Sequence, residues 1–213
     1  MAAAAVVKEE GKSVSCAVDP SEVFEKGKYE VRSMTKKSGM FIFTPTTPAS
    51  HGYVIAAPQL YVMPTTSEMQ EVKSATEVIK WLASGLNPLL PTNVEGDISK
   101  LSLVGHSRGG KTAFSLALGI CRPSLPFSAV IGIDPVAGTK CFQPQPHILP
   151  PLSEPFKISA PITVIGTGLG PKSASPITCP CAPDGFNHVA FFSKNVGLLA
   201  PILWLWTMVI WTC

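Results

Sequence analysis

The sequence predicts an α/β fold, a mostly parallel sheet covered by helices. Three observations carry that expectation. Short β-branched or aliphatic runs recur along the chain, helix-favouring stretches stand between them, and the connections are short. With 213 residues, 46% of them apolar and 15% charged, the chain can bury one sizeable core, so a single domain over residues 1–195 is expected, followed by an apolar tail at 196–213.

The elements follow in order. "GMFIFTP" at 39–45 reads as a short strand ended by Pro45, and "GYVIAAP" at 52–58 as the next. From Ser67 to Leu86 a helix is expected, because Ser67 stands three residues before Gln70, a capping-box spacing, and Met69, Val72, Thr76, Ile79 and Leu82 recur at helical intervals. "KLSLVG" at 100–105 is a strand, followed by a helix from Arg108 to Leu118 that stops at Gly119, with Pro123 beyond. "SAVIGID" at 128–134 and "APITVIG" at 160–166 are two further strands. The unbroken apolar character of these runs predicts strands covered on both faces. Between them, 135–161 is rich in proline and lacks periodicity, so it reads as an excursion of the kind that forms pockets near strand ends.

Composition excludes several function classes. Seventeen basic and fourteen acidic residues give a formal charge of +3 without a Lys/Arg cluster, which argues against nucleic acid. The cysteines at 16, 121, 141, 179, 181 and 213 show no repeated C-x-x-C unit and follow no secretory signal, so reduced thiols are expected. "CPC" at 179–181 and Cys141 lack a fourth ligand at zinc spacing, so no metal site is indicated. Glu9 and Glu10 fit poorly with the acid-poor composition of a transit peptide.

The chemistry concentrates in "LSLVGHSRGGKTAFSLALG", 101–119. "GHSRG" is a G-x-S-x-G pentapeptide between a strand and a helix, the context in which a serine is held exposed on a strained turn. Gly105 and Gly109 leave room where that turn packs against its neighbours, and the N–H of Arg108 faces a developing oxyanion beside Ser107. An acid is expected later in the chain. Asp134 ends the next strand, where strand ends converge, and Asp184 in "CAPDGFNH" is the rival, although Asp-Gly is an ordinary turn pair.

Taken together, "SHGYVIAAPQLY", "GHSRGGKTAFSLAL", "VIGIDPVAG" and "CAPDGFNHVAFF" resemble the plant chlorophyllases, serine esterases of the α/β-hydrolase fold that cleave the phytyl ester of chlorophyll to chlorophyllide and phytol. The resemblance runs from about Val18 to Lys194. It implies Ser107 as nucleophile and Asp134 as the acid, with motif-shaping roles for His106, Arg108 and Gly109. It implies no cofactor, chlorophyll or a related phytyl ester as substrate, and a chloroplast location, with the cytoplasm as the alternative.

Two departures stand beside the match. The family carries a strand, an H-G-F or H-G-Y oxyanion loop and a helix before "SHGYVIAAP", whereas "TPTTPASHGY" passes directly from Pro45 to His51. Loss of that block is expected to leave unpaired backbone and uncovered apolar faces, and to remove one oxyanion donor, worth about 2.7 to 4 kcal/mol. The family histidine lies in a G-H-x-D-M-L loop, and the corresponding region here reads "NVGLLAPILWLWTMVIWTC". Of His51, His106, His147 and His188, only His188 follows both candidate acids, which makes it the substitute base. The uncharged 18 residues from Val196 approach the length of a membrane span, so membrane association through 196–213 stands against a tail with no evolved role. Three functions follow: a chlorophyllase-type ester hydrolase, an impaired short form that at most binds a porphyrin or phytyl chain, and a small membrane-anchored protein.

Overall fold

A computed structural model describes residues 2–7, 35–36, 40–41, 49, 51–60, 66–139, 142–151, 154–168, 170–171, 180–194 and 202–204. Its strands are β1 (Ala2–Val7), β2 (Thr35–Lys36), β3 (Met40–Phe41), β4 (Tyr53–Pro58), β5 (Gly96–His106), β6 (Ala129–Ile133), β7 (Ile162–Gly166) and β8 (Ile202–Trp204). The helices are α1 (Glu68–Gly85), α2 (Arg108–Ala117) and α3 (His188–Ser193). One eight-stranded sheet runs in the order β2-β3-β4-β1-β5-β6-β7-β8. Pairing is parallel from β5 through β8 and antiparallel from β2 through β5. Because β1 and β3 alone are inverted, six of the eight strands (β2, β4, β5, β6, β7 and β8) point the same way. The sheet is mostly parallel.

The first two helices form where capping and periodicity placed them, and α3 is a short helix that the sequence reading did not anticipate. Ser67 caps α1, its side chain accepting from the Gln70 amide at 3.2 Å, and α1 buries Val72, Ala75, Thr76, Ile79 and Leu82. Leu118 closes α2, and Gly119 follows at φ 81, a left-handed conformation that costs glycine nothing. Val72, Ala75, Ile79 and Leu82 of α1 and Ala113 and Leu116 of α2 pack with Leu101 and Leu103 of β5. Phe114 of α2 lies 4.9 Å from Phe191 of α3 and 5.1 Å from Phe156 in a second cluster with Val130, Ile162 and Val164, and Ala117, Ile120 and Phe127 pack against both clusters.

Strand register shows that these buried residues share one face. Leu103 lies opposite Val130, and Val130 opposite Ile162. On the other face, Val104 lies opposite Ile131 and Ile133 opposite Ile165, and all four are only half-buried. Burial therefore alternates along β5, β6 and β7, and the expectation of strands fully covered on both faces does not hold. The same apolar runs were compatible with either arrangement, since one-sided burial does not require polar residues on the second face.

The expected gap in hydrogen bonding is closed. β1 lies between β4 and β5 and pairs antiparallel with both, Ala3 opposite Ala56 on one side and Leu103 on the other. A register shift between Ala4 and Val6 accommodates the two ladders. Residues 202–204 of the tail form β8 on the far edge, parallel to β7. That strand interrupts any continuous helix through 196–213, and among the described residues no helix is long and apolar enough to cross a membrane. The rest of the tail lies outside the described residues. So do Cys16, Cys141, Cys179 and Cys213. Cys121 is a free thiol, whereas Cys181 is disulfide-bonded, which corrects the expectation of reduced thiols throughout. Pairing depends on which sulfurs the folded chain brings within bonding distance, and spacing along the sequence does not fix that.

Removal of residues 2–7 is expected to expose facing edges of β4 and β5 and so to convert a cooperative urea transition into a broad one, with aggregation on size-exclusion chromatography. A truncated monomer with an unchanged midpoint would count against β1 as the strand that completes the sheet.

Candidate active site

The turn from β5 into α2 is built by close approach. A Cβ on Gly105 would overlap the Gly109 carbonyl, and one on Gly110 would lie 2.7 Å from Cβ of Pro135. Side chains are thus excluded at 105 and 110, so the glycine demand extends one position beyond the pentapeptide. Between them Ser107 adopts φ 52 and ψ −123, and such strained non-glycine backbone costs on the order of 1 to 3 kcal/mol. Neighbouring bonds hold it: its amide donates to the Ile133 carbonyl at 3.0 Å, and its carbonyl accepts from Gly110 at 2.9 Å and Val136 at 3.2 Å. The Ser107 side chain makes no capping bond to α2.

Asp134, at the end of β6, is a second strained non-glycine residue, with φ 40. Its amide donates to the Ile165 carbonyl at 2.7 Å, fixing the β6 end against β7. Oδ1 accepts from the Thr167 amide at 2.9 Å and faces Nδ1 of His188 at 3.1 Å, while Oδ2 accepts from the Thr167 hydroxyl at 2.5 Å. Burial alone would raise the Asp134 carboxyl, but the His188 bond, both Thr167 bonds and the His188 charge outweigh it, so its pKa falls below 3.8.

His188 is buried at the start of α3. Asn187 caps that helix by accepting from the Val189 amide at 3.1 Å, and donates its own side-chain amide to Asp184 at 3.2 Å. Asp184, the rival acid, therefore sits in the exposed turn that anchors the cap, while Asp134 faces the imidazole. Gly166 makes room for the ring, since a Cβ there would overlap His188 Cδ2. His51, His106 and His147 are exposed. The amide of Ala137 donates to the Phe186 carbonyl at 2.9 Å, tying the start of the excursion to the turn that carries His188.

Arg108 and Lys111 face away from this cluster toward α1. Arg108 Nη2 lies 2.5 Å from Glu71 and donates to the Thr66 carbonyl at 2.7 Å, and Nε donates to Glu71 at 3.0 Å. Lys111, almost wholly buried, lies 2.5 Å from Glu68 and donates to the Pro144 carbonyl at 2.6 Å. Burial pushes the Glu71 carboxyl up, and the bond and charge of Arg108 oppose that rise only in part. Among the described residues no group of three or more His, Cys, Asp and Glu side chains is placed to hold a metal ion.

The turn, the acid–imidazole pair and the Arg108–Glu71 and Lys111–Glu68 pairs all fall within residues 46–200, the stretch matched by the chlorophyllase family model. The chain belongs to the chlorophyllase family. It is 49% identical over 150 residues to Chlorophyllase-1 of Arabidopsis thaliana, an alignment that covers 68% of this chain and 46% of the relative. Identity to "Chlorophyllase-1, chloroplastic" of Citrus unshiu is 46% over 178 residues, covering 80% of this chain and 51% of that protein. Chlorophyllase type 0 of Chenopodium album is 41% identical over 155 residues, covering 68% and 43%. The chain spans about half the length of these chlorophyllases. Strand β1 lies outside the stretch that the family model matches.

Thr167 and Gly110 were not singled out in the sequence reading. Thr167 carries no motif, and its role depends on β7 ending beside β6. Gly110 adjoins the pentapeptide, and the doubled glycine in "SRGGK" was the available signal.

Two measurements test this geometry. Because the folded pKa of Asp134 lies below its ordinary 3.8, its contribution to stability is complete above that value and is lost as pH falls through the folded pKa. The difference in urea midpoint between the unaltered chain and Asp134→Asn should hold constant from neutral pH to about 4 and shrink below it. Gly166→Ala should cost about 1 to 3 kcal/mol through overpacking against the imidazole, read by urea titration.

Proposed function

We propose that the chain is a serine ester hydrolase of the chlorophyllase type, acting on the phytyl ester of chlorophyll in the chloroplast. The observation that supports it is that the strained Ser107 turn hydrogen-bonds to Ile133 and Val136, on either side of the Asp134 that faces His188. Ser107 Oγ attacks the ester carbonyl carbon as His188 takes its proton. With Nδ1 of His188 turned to Asp134, proton exchange with Ser107 falls to Nε2. Asp134, held by Thr167, keeps the ring oriented and stabilises the imidazolium. The Arg108 amide, at the start of α2, donates to the oxyanion of the tetrahedral intermediate. Collapse of that intermediate breaks the carbon–oxygen bond to phytol, which leaves with the proton from His188. Water then attacks the acyl-enzyme, returning Ser107 and releasing chlorophyllide.

The rate is limited by what accompanies the serine. Proton transfer by a positioned base contributes about 10² to 10⁴, and one oxyanion donor about 10² to 10³. His188 stands in for the family's later histidine, and the block that supplies the second donor in relatives has no counterpart between Pro45 and His51. Chlorophyllide release from folded chain is therefore expected at least about a thousandfold below that of a full-length relative, measured with equal amounts of protein. Ser107→Ala should abolish it, and His188→Gln should lower it a further tenfold or so. Release unaffected by Ser107→Ala would overturn Ser107 as the nucleophile, and no release from the unaltered chain would overturn the hydrolase reading in favour of a form that only binds its ligand.

A further inference from the structure

Residue 108 has two roles to reconcile: its amide stands where the oxyanion would form, and its side chain reaches the other way, into α1. The guanidinium is fixed by Glu71 through Nη2 at 2.5 Å and Nε at 3.0 Å, and by the Thr66 carbonyl at 2.7 Å. Glu68 approaches Arg108 Nε at 3.9 Å and holds Lys111 at 2.5 Å. Lys111 in turn grips the excursion at the Pro144 carbonyl, 2.6 Å away. Four side chains from two helices thus join α1, the first turn of α2 and the segment between β6 and β7, and their formal charges sum to zero: Glu68 and Glu71 against Arg108 and Lys111. Glu71 and Lys111 are almost fully buried, so loss of either cation would leave a carboxylate unbalanced in a poorly solvated place, one helical turn from the nucleophile.

We propose that Glu68, Glu71, Arg108 and Lys111 are positioning residues that set the α2 amide beside Ser107 and keep the field there from turning negative as the oxyanion forms. The proposal rests on the nucleophile reading of Ser107. A structural pair would make its two members equivalent, since removing either breaks the same contact. A charge-balanced clamp makes them opposite. Arg108→Gln leaves a net negative charge between α1 and the first turn of α2, Glu71→Gln leaves a net positive one there, and the double substitution restores neutrality.

The test uses the full chain, with fluorophosphonate as the probe of Ser107, intact-mass detection of the adduct, and Ser107→Ala as control. Hydrogen exchange across residues 107–117 is measured in parallel. R108Q should label about tenfold more slowly, E71Q should be slowed clearly less than R108Q because its loosened packing is not joined by an unfavourable charge, and the double variant should recover part of the R108Q loss. Both single variants should exchange faster along α2. Arg108→Lys keeps the charge without the planar fork, so it should label faster than R108Q while exchanging faster than the unaltered chain, and it serves in place of R108Q if that variant does not fold. Equal slowing in E71Q and R108Q would overturn the charge-balance role, and unchanged exchange in all variants would overturn the clamp. An unlabelled Ser107 in the unaltered chain would instead sink the nucleophile reading and with it the charge-balance role. The exchange comparison would then decide the clamp alone, faster exchange supporting it and unchanged exchange overturning it.

Discussion

The tight passage from β5 into α2 is the constraint on which the site depends. Gly105 lies so close to the Gly109 carbonyl, and Gly110 so close to Pro135, that α2 can leave the sheet in one direction only. That direction forces Ser107 into a backbone region that costs energy, and the cost is met by bonds on both sides, to Ile133 from its amide and from Val136 and Gly110 to its carbonyl. The same close packing brings the end of β6 against the turn. Pro135 touches Gly110 while Asp134, the residue before it, swings toward β7. One steric requirement thus fixes both the serine and the carboxylate.

Electrostatics then separates the polar groups into two sets. On the β7 side, Asp134 is ionised more readily than a free carboxyl because Thr167 and His188 supply donors that outweigh its burial. On the α1 side, Glu71 moves the opposite way, since burial is stronger than what Arg108 returns. A half-buried carboxylate and a fully buried one therefore shift in opposite senses, decided by how the donors each one meets weigh against its burial. Both sets attach to the excursion between β6 and β7, through Ala137 and Phe186 on one side and Lys111 and Pro144 on the other. A segment without secondary-structure periodicity is held by polar bonds at Ala137, Pro144 and Phe156, the last donating its amide to the Lys194 carbonyl at 2.8 Å.

The sheet shows how one short strand satisfies the backbone demands of two neighbours at once. β4 and β5 run in the same direction with a strand's width between them, and Ala2–Val7 enters that space inverted. An alanine-rich segment has weak preference for strand, and its place in the sheet follows from the two hydrogen-bonding edges that it completes. The second face of β5, β6 and β7 keeps Val104, Ile131, Ile133 and Ile165 half-exposed.

Much of the fold was legible because its signals are local. The Ser67 cap, the stop at Gly119 and the apolar runs of β4 to β7 depend on neighbours within a few residues, and so does the glycine-flanked serine. Sequence also brought Asp134 and His188 forward, by strand-end position and by order along the chain. What it left open was contact across the sheet. Asp134 and Asp184 were separated only when β7 brought Thr167 and His188 to the first and Asn187 to the second. The disulfide at Cys181, the one-sided burial and the entry of β1 between β4 and β5 likewise required the folded chain. By itself the sequence determined which residue types could stand at strand ends and on helix faces, because backbone stereochemistry and burial act locally. The tertiary structure alone decided which of those residues meet, because hydrogen bonds and ion pairs reach only a few ångströms and their partners here lie 33 to 54 positions apart, from Asp134 to Thr167 and on to His188.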